Sequence, residues 1–270
     1  MQQYYRVNLG FGRPWTPVVR ALILANGAMF LIQLLARVQG VDLVPWLGLD
    51  TAAVFGQLRL WQLVTYLFLH GGAFHLLFNM FALWMFGSEL EDFMGRAEFT
   101  SYYLLCGIGA GITAWGVDLL RGEPSYTIGA SGAIFGILLA YGIIWARREI
   151  TLLIFFILPV TLEARVFVLA FAALELLLGV SGGSGGPVAH FAHLGGMLFG
   201  LIYFKLLRNA VRPYFQGKRL FAARSRLRLW NEQDDRERLD QVLDKINRYG
   251  IHTLSDGEKK FLDRMSKRAH

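Results

Sequence analysis

The chain has 270 residues, of which 54% are hydrophobic, 14% aromatic and only 17% charged, and its mean hydropathy is +0.41. A soluble domain of this length needs far more polar surface, so the composition excludes an ordinary globular enzyme and fits a chain that crosses a membrane several times. The net charge of +7 sits in the tail, where 17 Lys and Arg face 9 Asp and Glu from Lys205 onward; with no recognition motif beside it, this excess points to a lipid surface and not to nucleic acid.

Residues 1–19 lack an apolar core and are expected to form a cytoplasmic N-terminal segment, with no cleavable signal. Hydrophobic runs predict helices at about 20–38, 75–94, 99–119, 127–146, 164–180 and 188–208, each close to the roughly 20 residues that cross a bilayer. The expected fold is an all-α, six-transmembrane-helix bundle over 20–208. The connection from Arg37 to Phe74 is too long for a turn and holds Trp46, Trp61 and Tyr66, so a structured interfacial loop is expected. Ile150 to Val160 is too short to cross and reads as a segment lying at or dipping into the interface. Cys106 is the single cysteine, so no intrachain disulfide can form. Arg6, Arg13, Arg20, Arg96, Arg147, Arg148 and Arg165 share one side with the basic tail, which puts both termini in the cytoplasm. Residues 209–230 read as a basic linker. Beyond them, 231–270 read as a helical hairpin, with Leu239, Val242, Leu243 and Ile246 at helical spacing, a stop at Gly250, and Ser255 and Glu258 as a capping box ahead of Phe261, Leu262 and Met265.

Chemistry concentrates at one level of this bundle. Ser131 stands among small residues at the start of the fourth helix, and with the predicted topology it lies about five residues, or ~7 Å, below the outer face. His193 lies at the same depth in the sixth helix, and His75 with Asn79 one turn further marks the outer end of the second. A serine hydroxyl becomes a nucleophile when a base takes its proton, and an imidazole is the side chain suited to that near neutrality. Gly132 and Gly136, and Gly196 and Gly200, give the fourth and sixth helices small faces for close approach. Glu175, in the fifth helix, reads as an interhelical hydrogen-bonding residue. His70 and His190 are expected to bond loop backbone or line the mouth of the site. The four histidines near the outer face raise zinc, but without a His-Glu-x-x-His signature or an adjacent carboxylate no metal and no cofactor is assigned.

Three motifs resemble the rhomboid family of intramembrane serine proteases: His75-Leu-Leu-Phe-Asn79, Gly129-Ala-Ser131-Gly132, and Ala192-His193-Leu-Gly-Gly196 followed by Gly200. Glu91, Gly95 and Trp61 are further matches, and the resemblance covers about residues 15–208. It implies Ser131 as nucleophile and His193 as general base of a dyad, with an oxyanion hole from His75, Asn79 and the Ser131 amide. Gly129, Gly132, Phe135, Gly196, Gly200 and His190 would support the site. Phe135 stands where some relatives have a tyrosine stacking on the histidine, and Gln62 follows Trp61 where members often have arginine. Substrates would be single-span membrane proteins entering between the second and fifth helices, and the tail is similar to an appendage on some bacterial rhomboids, which suggests a bacterial inner membrane. The competing readings are an inactive rhomboid-like protein that binds membrane clients, and a transporter, which would spread its polar residues along a pore instead of at one depth. Oligomeric state is not legible.

Overall fold

The computed structural model describes residues 15–154, 158–182, 186–215 and 238–268; Arg6, Arg13, most of the glycine-rich loop after Ser181 and the basic stretch Lys218 to Trp230 lie outside the described residues. The contacts divide the chain into two units, Met1–Val211 and Arg212–His270.

Among the described residues, the long helices of the first unit are α1 (Pro17–Val38), α2 (Ala73–Met94), α3 (Arg96–Arg121), α4 (Ser131–Ile144), α5 (Ala164–Ser181) and α6 (Pro187–Ile202). Among the described residues, α1, α3, α5 and the run Pro187–Phe215 that begins with α6 are long and apolar enough to cross a membrane. A fifth candidate joins α2 to Gln62–Phe68 across a 100° bend, and α4 is shorter. The chain is therefore mostly helical and reads as an integral membrane protein.

The middle of the unit is α3, and the reason is side-chain size. A methyl group on Gly132 would overlap Ala110, one on Gly136 would overlap Cys106, and one on Gly200 would overlap the Tyr102 hydroxyl, all on α3. The small faces of α4 and α6 are thus largely spent on α3. The tightest approach of α4 to α6 is at Gly196, where a methyl group would collide with the Gly132 carbonyl. Buried hydroxyls fasten the same contacts, with Tyr102 donating to the Gly136 carbonyl and Tyr66 to the Gly107 carbonyl, each at 2.6 Å. Without a hydrophobic drive between helices in lipid, such close packing and hydrogen bonds supply the association.

Buried acids tie the helix ends. The Glu91 carboxylate on α2 accepts the Val18 and Val19 amides at 3.0 and 2.9 Å, capping the start of α1 where backbone donors have no helical partner. Glu98 accepts from the Tyr203 hydroxyl at 3.0 Å and from Arg208 at 3.2 Å. In the long first loop Gln62 is fully buried, accepting the Asp50 amide at 3.1 Å and donating to the Pro45 carbonyl at 3.4 Å, an uncharged anchor.

Two small antiparallel ladders were not anticipated by an all-α reading. β1 (Leu49–Asp50) pairs with β2 (Tyr126–Thr127), and β3 (Glu149–Ile154) pairs with β4 (Leu158–Glu163) from Glu149↔Glu163 to Ile154↔Leu158. Ile150, Thr151, Val160 and Thr161 are β-branched, a composition that favours strands, and pairing with itself satisfies the segment's backbone. The described residues of the stretch expected to lie at the interface are therefore paired antiparallel strands.

In the second unit, α7 (238–249) ends at Gly250 with φ +84, and α8 (Asp256–Arg268) begins after Ser255. Val242, Leu254 and Phe261 are buried there, with Leu239, Ile246, Leu262 and Met265 against them. Ser255 and Glu258 form a reciprocal cap: the Ser255 amide donates to the Glu258 carboxylate at 2.7 Å and the Glu258 amide to the Ser255 hydroxyl at 3.3 Å.

Candidate active site

Ser131 is the first residue of α4, not a residue five positions inside it. The helix starts late because the preceding chain is extended in β2 and then turns at Gly129, whose φ is +122 and whose amide donates to the Tyr66 carbonyl at 2.9 Å. A side chain at position 129 would be strained, and its Cβ would lie 2.8 Å from the His75 ring. Because first-turn amides have no intrahelical acceptor, the Ser131 N–H stays available beside its own hydroxyl.

His193 comes from α6. Its Nε2 lies 2.8 Å from Ser131 Oγ. Phe135, one turn beyond Ser131, stacks flat on the imidazole, with ring centroids 4.3 Å apart and planes 6° apart. The lost tyrosine hydroxyl leaves this stacking intact. Gly196, one turn beyond His193, is where α6 backbone meets α4 backbone, so the glycine sets the reach of the imidazole to the serine.

The other ring nitrogen has a partner that sequence reading undervalued. His193 Nδ1 lies 3.0 Å from Glu175 Oε2, and His190 Nδ1 lies 2.7 Å from the same oxygen. Glu175 and His190 are 8% and 7% exposed, so this is an interior cluster on α5 and α6. A carboxylate accepts and does not donate, so each Nδ1 carries its proton, and His193 Nε2 is left as acceptor for the serine hydroxyl. The signal in the sequence was an acid inside an apolar run, facing two histidines three residues apart.

His75 stands across from the dyad. The Gly71 amide donates to its Nδ1 at 3.4 Å, which leaves the proton on Nε2, the nitrogen nearest Gly129. Asn79 is buried one turn away, and its amide donates to the His75 carbonyl at 2.8 Å. A cavity of about 180 Å3 opens here, lined by Ser131, His193, His75, His190, Gly129, Gly132 and Tyr66 together with Thr127, Ile128, Ala189 and Ala192. Asn79 is not part of that lining. His70, expected to bond loop backbone or line the mouth, is fully buried; its ring meets His75 edge-on at 5.0 Å and its backbone amide donates to Gln33 at 3.0 Å.

Glu175, His190 and His193 offer three donor atoms within 4.8 Å of one another, the described group with metal-ligand chemistry. Ligation there would displace the hydrogen bonds just described and occupy the imidazole that faces Ser131.

The rhomboid domain model matches residues 57–210, and a family of unknown function (DUF6576) matches residues 231–268. The chain is similar to RHOMBOID-like protein 4 of Arabidopsis thaliana, 34% identical over 169 residues, which is 62% of this chain and 39% of that protein. It is also similar to Rhomboid protein 1, mitochondrial, of Saccharomyces cerevisiae, 34% identical over 161 residues, covering 58% and 44% respectively. Presenilin-associated rhomboid-like protein, mitochondrial, of Mus musculus is 32% identical over 136 residues, covering 50% of this chain and 35% of that protein. The chain spans about half the length of the curated relatives it matches.

Proposed function

On the premise that the chain belongs to the rhomboid family, we propose that it is an intramembrane serine endopeptidase. The observation that carries the reading is the 2.8 Å contact between Ser131 Oγ and His193 Nε2, held at the edge of an apolar bundle beside a cavity.

In this reading Ser131 Oγ attacks the scissile carbonyl carbon while its proton passes to His193 Nε2. The carbonyl oxygen becomes an oxyanion, to which the Ser131 amide and His75 Nε2–H donate. Asn79 joins them once its amide turns from the His75 carbonyl. Each such donor is worth about 3–4 kcal/mol of transition-state stabilisation. Collapse breaks the C–N bond as His193 returns the proton to the departing amine. Water then attacks the acyl-serine with His193 again as base, releasing the acid and restoring the hydroxyl.

The substrates proposed are single-span membrane proteins whose helices unwind near the outer face and enter between α2 and α5. For such a substrate α1 to α6 act as six spans, α4 crossing with help from its flanks, and both termini lie on the cytoplasmic side by the distribution of arginines. The helices of the second unit are proposed to form a cytoplasmic hairpin.

The test is cleavage of a reporter transmembrane substrate by protein in liposomes, with a fluorophosphonate probe as a second readout. Wild type should cut and label. Ser131→Ala should lose both, and His193→Ala should lose at least about 1,000-fold in turnover while remaining folded. A folded wild type that neither cuts nor takes the probe would turn the reading to client binding.

A further inference from the structure

We infer that Glu175 is a positioning residue that converts the serine–histidine pair into a carboxylate–histidine–serine relay, with His190 as the brace that holds the carboxylate. The inference rests on the protease reading and goes beyond it, since two groups suffice for that chemistry.

Three observations converge. First, an acid inside a membrane helix is expensive and is retained where it is paired. Glu175 is flanked by Leu174 and Leu176 on α5 and is nonetheless buried, with Oε2 accepting from two imidazoles. Second, the stacking of Phe135 on His193 sets the plane of the ring but is indifferent to a half-turn about Cβ–Cγ and to the tautomer. An Nδ1–H bonded to Glu175 settles both, presenting a proton-accepting Nε2 to the serine. Third, His190 and His193 stand three residues apart on one face of α6 and reach the same oxygen. An interhelical tie needs one such bond. The second makes the carboxylate's direction independent of His193, so the ring returns to the same setting after each proton transfer.

The chemical consequence concerns charge. When His193 takes the Ser131 proton it becomes an imidazolium, and Glu175 faces it at 3.0 Å on the opposite edge. No proton need move to Glu175; its charge stabilises the imidazolium while the oxyanion forms. Among the described residues lining the cavity beside His193, the other titratable groups are His190 on α6 itself, His75 from α2, and Tyr66, whose hydroxyl is tied to the Gly107 carbonyl of α3.

The experiment measures kcat, KM and the pH profile of kcat/KM for wild type, Glu175→Gln and His190→Phe in liposomes, with active enzyme counted by fluorophosphonate titration. Glu175→Gln should lose at least about tenfold in kcat per titrated site with KM within about threefold. Its acid limb should move to lower pH, because an imidazolium without the carboxylate loses its proton more readily. His190→Phe should move the limb the other way, since the carboxylate's charge is then directed at His193 alone. Glu175→Asp, which keeps the charge but shortens the reach, should fall between wild type and Glu175→Gln, and it carries the test if Glu175→Gln does not fold. A wild-type kcat and limb in folded Glu175→Gln, or fewer active sites with an unmoved limb in any of the three, overturns the inference while leaving the protease reading in place. A wild type that neither cuts nor labels overturns both.

Discussion

Glu175 in the membrane unit and Glu258 in the C-terminal unit are the same chemical group in opposite settings. Each accepts several donors, Glu175 from two imidazoles and Glu258 from the Ser255 amide and hydroxyl and from Lys245 at 2.9 Å. Glu175 is interior, whereas the pairs of Glu258 are formed on the surface, where water competes for every bond. The difference extends to the packing around them. The membrane unit brings backbone against backbone through glycine and keeps its polar groups inside. The C-terminal helices keep apolar groups inside and polar groups on the rim, in the manner of any water-facing helix pair. A shape error should therefore damage chemistry in the first unit and only stability in the second.

Gly196→Ala should have the larger effect. Its methyl group meets the Gly132 carbonyl, a backbone atom with no rotamer to yield, so overpacking should reach at least the upper end of the usual range of about 1–3 kcal/mol. Because His193 sits one turn earlier on the same helix, turnover should fall about 100-fold or more through misplacement of the imidazole. Thermal unfolding in detergent and reporter cleavage read the two effects separately, and a fully active, fully stable Gly196→Ala protein would erase the contrast.

Phe261→Ala comes next. Among the described residues, the cluster it fills has Val242 and Leu254 as its other buried members, so losing about 3 kcal/mol should open α7 and α8 together. Hydrogen exchange on the full chain should show protection lost over 238–268 while turnover at Ser131 stays unchanged. A parallel fall in turnover would instead tie the second unit to catalysis.

How much of this was legible in the sequence follows the same division. Ser131, His193 and His75 could be picked out because each sits in a short motif of residue types within one helix, while the stacking of Phe135 came only with the family resemblance. The partners chosen across helices could not. Gly132 and Gly136 face Ala110 and Cys106 on α3, which depends on crossing geometry that no repeat of small residues encodes. Glu175 was visible as an acid in an apolar run, but its two imidazole partners lie 15 and 18 residues away and meet it only once α5 and α6 pack. The pairing of β3 with β4 was hidden by its lack of alternation, although its β-branched residues were in view. In the C-terminal helices nearly every contact is local, and the capping box and apolar stripe were readable in full.

The smallest expected effect is on pH. The Ser255 amide, then Lys245, hold the Glu258 carboxyl down from 4.5 to about 2. A carboxyl depressed on folding contributes stability that is present above its ordinary pKa and is lost as pH falls through the folded value, so the α8 cap should weaken between 4.5 and about 2. The Ser255 amide resonance should titrate with a midpoint near 2, and Glu258→Gln should abolish that titration. A midpoint at the ordinary carboxylate value would show that the surface bonds leave the group untouched.

One helix carries none of the proposed chemistry and constrains all of it. Ala110, Cys106, Tyr102 and Gly107 on α3 each touch a residue or carbonyl that sets where Ser131 or His193 can stand. Over generations such a helix is filtered by volume and hardly at all by polarity or charge. Substitutions there would be admitted in compensating pairs, one residue shrinking as its neighbour grows, so the reaction centre's history would be written most clearly in the sizes of side chains that never meet a substrate.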